Sequence, residues 1–183
     1  MKTLGRRRAA VMAYLFATLP IREEVDTLDF ALEGAPARRF HVACAKFLPE
    51  QEDDDVTVVV TLPDGPGGVF IGLTYRDEKT VARVLANLEE YEEENALRLA
   101  VGEAVVTPDP SIADGPYAVL LLRASSSEMF ADLPDAVTLG EIAVGFRLVM
   151  PLTRDEYLYR KHHGQDALMD AFDRDGKDIA FFG

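Results

Sequence analysis

The hydrophobic period changes once between residues 56 and 88, and this change constrains the fold more than any other feature of the sequence. Residues 56–62 (VTVVVTL) are β-branched almost throughout, and a second apolar segment, VFIGLTY, follows the turn-rich PDGPGG. From Lys79 onward the apolar residues recur at helical spacing. They are Val81, Val84, Leu85 and Leu88. We therefore expect a β-hairpin with a long tip, followed by a helix that packs one face on a sheet.

Other apolar segments of strand-like length are distributed along the chain. They are RFHVACAKFL (39–48), LRLAVGEAVV (97–106), YAVLLLR (117–123) and GEIAVGFRLVM (140–150). In the last of these, Gly145 indicates either a bulge or a close backbone approach. SSSEMFADLP predicts a short capped turn with Ser127 or a neighbouring serine at its N-cap. Because strands and helices do not alternate regularly, we expect an α+β fold: a single domain spanning residues 1–183, with a mixed, mostly antiparallel sheet flanked by helices.

Both ends of the chain predict helices. Three arginines, residues 6–8, precede an apolar stretch that ends before Pro20, a pattern that an export signal shares. The small residues typical of a cleavage site are missing there, so we expect an uncleaved helix over residues 6–19. Near the other end, Thr153 and Glu156 have the spacing of a capping box. Gly164 interrupts that helix, which resumes over residues 166–172 and stops at Gly176.

The charge balance is strongly acidic, with 32 Asp and Glu against 19 Lys and Arg and a formal net charge of −13. Such a surface repels phosphate backbones, so we expect no nucleic acid as partner. It would accelerate encounter with a basic protein, although an acidic scaffold adapted to high salt is an alternative explanation. No apolar run has the length that crosses a bilayer, and the single cysteine, Cys44, excludes an internal disulfide. We expect a cytoplasmic protein without membrane contact.

Candidate catalytic groups are few. His162 and His163 with Asp166 and Asp170 form the one cluster that resembles a metal or acid–base site, and a hydrolase or metal-dependent enzyme built on it is the alternative function. Adjacent histidines on a helix point about 100° apart, which disfavours a shared ion. Cys44 lies three residues from a histidine on a predicted strand, so the two side chains fall on opposite faces. No dinucleotide fingerprint or P-loop is present, and we expect neither a cofactor nor catalysis.

Two acidic runs are the candidate partner-binding residues. They are Asp53, Asp54 and Asp55, and Glu89, Glu90, Tyr91, Glu92, Glu93 and Glu94. Carboxylates around an aromatic residue suit a basic protein surface. The alternative is a solvated loop and a solvated helix end with no partner.

The C-terminal sequence FRLVMPLTRDEYLYRKHHGQDALMDAF resembles the end of bacterial suppressor of fused-like domains. In that family an apolar strand runs into a V-P-L-T-x-x-E type helix, which is followed by H-G-x-D-A-L. The matching residues are Leu148, Val149, Pro151, Leu152, Thr153, Glu156, Gly164, Ala167 and Leu168. A looser similarity extends back through LPDAVTLGEIAVGF to YAVLLLR, so that less than half of the chain is covered.

This resemblance implies an α+β binding domain without a catalytic centre. Bacterial relatives of this kind are often found beside secreted toxins and are regarded as immunity proteins that neutralise them. The acidic surface is compatible with that role, because a nuclease toxin must be basic to hold nucleic acid. We therefore expect a protein partner, with a cognate basic toxin as the specific hypothesis.

Overall fold

The computed structural model describes residues 5–21, 26–30, 40–47, 56–75, 77–107, 115–177 and 181–182. These residues form four α-helices and nine strands. The helices are α1 (Arg6–Thr18), α2 (Glu78–Glu94), α3 (Arg154–His163) and α4 (Gln165–Asp175). The strands are β1 (Asp26–Phe30), β2 (Phe40–Phe47), β3 (Val56–Thr61), β4 (Val69–Thr74), β5 (Ala104–Val106), β6 (Ala118–Arg123), β7 (Ala136–Leu139), β8 (Ile142–Leu152) and β9 (Phe181–Phe182).

The strands build one mixed sheet in the order β1-β2-β3-β4-β8-β6-β5, to which β7 is added beside β8 and β9 beside β4. Among the described residues, β4 runs parallel to β8 and β9, and the remaining pairs are antiparallel. The predicted hairpin is the β3–β4 pair, in which Val58 lies opposite Leu73. The α+β class and the mixed, mostly antiparallel sheet are confirmed.

Helices cover both faces of the sheet, which explains why apolar residues of its central strands point to both faces. Val58 and Val60 of β3 face α1 and belong to the core cluster that α4 also joins, whereas Val59 between them packs with α2 on the opposite face. Strand β4 is buried along its whole length. The amphipathic face predicted for residues 81–88 is the face of α2 that enters this core.

Helix α2 approaches the sheet closely at Gly72 of β4. A Cβ atom on this glycine would lie 2.5 Å from Cγ1 of Val81, closer than two carbon atoms can pack. The missing side chain therefore lets the helix sit directly on the central strands. Asp77 fixes the start of α2, because its carboxylate accepts a hydrogen bond from the backbone N–H of Thr80 at 3.0 Å.

The C-terminal helices begin and end where the sequence predicts. The hydroxyl of Thr153 accepts the N–H of Glu156, whose carboxylate in turn accepts the N–H of Thr153, so the capping box is complete. Gly164 separates α3 from α4 with a φ of 91°, a conformation that favours glycine. Gly176 ends α4 in the left-handed region.

Three local predictions need correction or refinement. Strand β8 continues beyond the predicted end at residue 150, and Pro151 pairs with Val119 of β6. Its register with β7 runs unbroken through Gly145, so no bulge forms there. A Cβ on Gly145 would meet only the Asp135 carbonyl, at the ordinary contact distance of 3.7 Å, so the alternative of a close backbone approach at this glycine is also wrong.

The serine-rich segment forms two single turns of 3-10 helix, at Ala124–Ser126 and Glu128–Phe130. Ser127 occupies the N-cap position of the second turn, but its side chain makes no capping hydrogen bond. No helix in the described ranges is long and apolar enough to cross a membrane.

Candidate protein-binding surface

Strand β5 lies at the end of the sheet order and is paired, within the described residues, with β6 alone. On one side of it, the Glu103 carbonyl accepts the N–H of Leu121 in β6 at 2.9 Å, and on the other, the Thr107 N–H donates to the carbonyl of Tyr117, just before β6, at 3.2 Å. Because backbone groups alternate in direction along an antiparallel strand, those of Ala104 and Val106 point away from the sheet. This edge therefore presents backbone donors and acceptors to which an extended chain can pair.

An open groove of about 600 Å³ lies beside β5. Its walls are β5, the segment 97–103 and the end of α2, which contributes Tyr91. Tyr91 is 41% exposed and Val106 is 39% exposed, so aromatic and aliphatic surface faces the opening. Arg160 of α3 closes one side and donates a hydrogen bond from its Nη2 to the carbonyl of Gly102.

Further exposed apolar side chains adjoin the groove. Tyr117 is 37% exposed and lies next to β5, since its carbonyl accepts the N–H of Thr107. Its ring contacts that of Tyr157 with the centroids 5.6 Å apart, which brings α3 against this end of the sheet. Val101, at 46% exposed, projects from the segment that lines the groove. Tyrosine and apolar surface of this kind is typical of the centres of protein interfaces. We call Tyr91, Val101, Val106 and Tyr117, with the groove, the β5 surface.

The acidic run at the end of α2 is divided by the structure. Glu89 and Glu92 are buried, at 5% and 1% exposed, so the alternative interpretation, a solvated helix end, is wrong for these two residues. Tyr91 and Glu94 are exposed. Glu90 and Glu93 are half-buried and, like Glu89, have interaction partners within the protein. Of this candidate set, the structure brings only Tyr91 into the β5 surface.

The other acidic candidates, Asp53, Asp54 and Asp55, lie outside the described residues.

The buried carboxylate of Glu92 is fully engaged. Its Oε1 accepts hydrogen bonds from the backbone N–H of Leu99 and from Nη1 of Arg147, each at 2.8 Å. Nη1 of Arg98 lies 3.7 Å from its Oε2. Position 92 continues the apolar spacing of Leu85 and Leu88, so it falls on the inner face of α2. That spacing is the sequence signal that could have revealed its burial.

The alternative enzymatic cluster is not assembled into a site. His162, His163, Asp166 and Asp170 are all exposed, on two different helices. The ring of His163 lies 4.5 Å from that of Tyr159. In the described part of the chain, no group of three or more histidine, cysteine or carboxylate side chains is placed to hold a metal ion.

Cys44 is buried, as expected, among the side chains under α2. His41 lies an odd number of residues away on β2, so its side chain points to the opposite face of the sheet.

Comparisons with known proteins identify the fold. No protein-family model matches the sequence, and no curated protein matches it. A solved structure described as a SUFU (suppressor of fused protein) homolog from Neisseria gonorrhoeae matches with a TM-score of 0.67 at 19% identity, over 94% of this chain and 92% of that one. A chain of the Sufu–Fu complex matches with a TM-score of 0.50 at 11% identity, over 92% of this chain and 77% of that one. The resemblance seen in the C-terminal sequence is confirmed at the level of the fold.

Proposed function

We propose that this chain, which has the suppressor of fused-like fold, is a non-catalytic protein-binding domain that takes an extended segment of its partner along β5. The observation that carries the proposal is the edge of the sheet at Ala104 and Val106, which adjoins a groove with exposed Tyr91. An extended peptide that joins an edge strand gains affinity from backbone hydrogen bonds and specificity from side-chain pockets. The groove supplies such a pocket.

The comparison structures favour protein binding over catalysis. One of the two similar folds comes from a complex, that of Sufu with Fu. The exposed tyrosine and valine side chains of the β5 surface are of the kind that contribute buried area to interfaces. The function that fits both features is recognition of another protein.

The specific partner that we propose is a bacterial toxin, which the chain binds and neutralises as an immunity protein. The formal net charge of −13 supports a basic toxin, because long-range attraction between opposite charges raises the rate of association. Asp53, Asp54, Asp55 and Glu94 are the acidic candidates for this steering role. The β5 surface, which is less charged, would then form the close contact.

Co-purification with the products of neighbouring genes tests the proposed function. We expect a basic neighbour to bind, and the Tyr91→Ala variant to weaken its affinity about tenfold or more, as truncation of an interface aromatic does. Phe16→Ala is the matched control, since Phe16 on α1 is 43% exposed and lies beside β2 and β3, which β4, β8 and β6 separate from β5 in the sheet. If no neighbouring product binds at low salt, or if both variants bind equally well, the proposal is wrong.

A second variant tests the strand pairing itself. Val106→Pro removes a backbone N–H that points away from β6, so the internal sheet keeps its hydrogen bonds. We expect thermal stability to change little while affinity for the partner falls. Unchanged affinity in a normally folded Val106→Pro protein would show that the partner does not add a strand to β5.

The steering role is tested by association rates. Replacing Asp53, Asp54, Asp55 and Glu94 with their amides should lower the rate constant for association and flatten its dependence on salt. The dissociation rate should change little, because steering acts before the contact forms. An unaltered salt dependence would contradict the role assigned to these carboxylates.

A further inference from the structure

Three arginines from distant parts of the sequence meet around Glu92, although the protein as a whole is strongly acidic. Arg7 comes from the first turn of α1, Arg98 from the segment after α2, and Arg147 from β8. Nη1 of Arg147 is 2.8 Å and Nη1 of Arg98 is 3.7 Å from the carboxylate oxygens of Glu92. One buried carboxylate thus faces two guanidinium groups directly.

Arg7 joins this cluster through the glycine-rich loop between β3 and β4. Its Nη2 donates to the carbonyl of Gly67 at 2.8 Å, and a Cβ on Gly67 would lie 3.6 Å from Oε2 of Glu92. The second acceptor of Arg7 is also a backbone carbonyl, that of Ala143 at 3.3 Å. Among the described residues no carboxylate pairs with Arg7.

The three guanidinium groups of the cluster thus outnumber the carboxylate of Glu92 and that of Glu103, which lines the same groove as Arg98. Burial, and then the positive charge of Arg98, lower the pKa of the Arg7 guanidinium. An added anion would offset this repulsion. Guanidinium groups are the side chains best suited to hold an oxyanion, because their planar N–H groups match its geometry.

Only one of the three arginines is placed to receive a ligand. The Arg147 side chain is 16% exposed and is held by Glu92, with its guanidinium carbon 5.6 Å from the centre of the Phe70 ring. The Arg98 side chain is 43% exposed and lines the groove beside β5. Arg98 can therefore contact an anion in the groove, while Arg7 and Arg147 add positive potential behind it.

We propose that the Arg98 end of the groove is an anion-binding site that takes a carboxylate side chain of the bound protein segment. This assignment rests on the proposed function for its biological ligand, but the site itself can be occupied by a small dicarboxylate. A partner steered by the overall negative charge would then be fixed in register by one acidic residue placed opposite Arg98. The partner segment along β5 is accordingly acidic at one position, even where the partner as a whole is basic.

A titration with glutarate, monitored by NMR, tests the site without any protein partner. We expect saturable shifts of the Arg98 Nε–H signal and of the Leu99 and Gly102 backbone amides, which sodium chloride at equal ionic strength does not reproduce. Arg98→Gln should raise the dissociation constant about tenfold or more, since it removes a charge-assisted hydrogen bond. Arg98→Lys keeps the positive charge but loses the planar guanidinium group. Its dissociation constant for glutarate should lie between those of the unmodified protein and of Arg98→Gln.

Arg174→Gln is the control, because Arg174 is an exposed arginine on α4 that pairs with its neighbour Asp175. It should bind glutarate as the unmodified protein does. The proposal is overturned if no saturable shift occurs, if chloride gives the same shifts, or if Arg98→Gln and Arg174→Gln bind glutarate equally. None of these outcomes decides whether a partner strand pairs with β5, because Tyr91→Ala and Val106→Pro test that pairing independently.

Discussion

Replacement of Glu92 by alanine is the perturbation whose consequence the structure defines most fully. The carboxylate is 1% exposed and accepts two hydrogen bonds of 2.8 Å, from the Leu99 N–H and from Arg147. Alanine would leave both donors without their acceptor. The Leu99 N–H is buried, and the Arg147 side chain is 16% exposed, so water can replace the lost carboxylate only in part.

The expected loss in free energy of unfolding follows from these contacts. Removing one member of a buried ion pair costs about 3–5 kcal/mol. The partial exposure of Arg147 points to the lower part of this range, and the unpaired N–H of Leu99 adds about 1 kcal/mol. We therefore expect Glu92→Ala to lose about 4 kcal/mol and to melt roughly 10 °C below the unmodified protein. Glu92→Gln, which keeps one acceptor oxygen, should lose about half as much.

Urea denaturation followed by circular dichroism measures this loss. Glu94→Ala is the matched control, since Glu94 is exposed on the same helix and should change the free energy of unfolding by less than about 0.5 kcal/mol. The slope of the transition must be equal in all variants for the values to be compared. If Glu92→Ala lies within about 1 kcal/mol of Glu94→Ala, the buried ion pair does not have the role assigned to it.

Three further predictions concern packing, capping and pH. Gly72→Ala places a Cβ 2.5 Å from a methyl carbon of α2 and should cost about 1–3 kcal/mol by urea denaturation, whereas Gly65→Ala, with open space around it, should change stability by less than about 1 kcal/mol. Thr153→Ala should lower the free energy of unfolding by about 1 kcal/mol, and an equal loss in Thr153→Ser, which keeps the hydroxyl, would contradict the capping explanation. Hydrogen bonds from the Thr80 side chain and backbone lower the pKa of Asp77, so its contribution to stability is present above the ordinary aspartate pKa and is lost as pH falls through the lowered value. Asp77→Asn should therefore lose less free energy of unfolding than the unmodified protein as the pH is lowered. Denaturation curves recorded at a series of decreasing pH values measure both losses, and equal losses in the two proteins would refute this explanation.

Features that depend on residues close in sequence could be predicted correctly. The apolar face of α2, the β3–β4 hairpin and the capping box at Thr153 are each specified within a few positions. The order of the strands in the sheet could not be predicted in this way, because it depends on pairings between segments that are distant in sequence. The parallel pairing of β4 with β8 joins Val69 to Phe146 and has no local signature.

Strands β1, β7 and β9 lie outside the segments that the sequence predicts, although β7 has a recognisable signal. Strand β7 precedes β8 by a two-residue turn, and Gly140 in that turn has a φ of 65°, which favours glycine. The sequence VTLGEIAV therefore has the pattern of a hairpin, in which VTL is the end of β7 and IAV is the start of β8. The predicted strand begins at Gly140 and so contains only the second half of this hairpin. Strand β9 is two residues long, too short for periodicity to indicate it.

At the candidate site, residue type and residue position gave conflicting information about Glu92. Its spacing from Leu88 places it on the buried face, but a glutamate in an acidic run suggests exposure. The conflict is resolved by Arg147, a partner 55 positions away whose proximity only the folded chain reveals. Tyr91, one position earlier on the helix, lies off that face and remains exposed.

The buried ion pair and the proposed binding surface are connected through the segment 97–103. Glu92 holds this segment at the Leu99 N–H, and Arg160 of α3 holds it at the Gly102 carbonyl. The segment has no helix or strand of its own before β5, so these contacts fix the wall of the groove. A wall that is fixed before binding loses less conformational entropy when a partner arrives. The hydrogen bonds and ion pair that offset the cost of burying Glu92 therefore also pre-organise the proposed binding surface at the edge of the sheet.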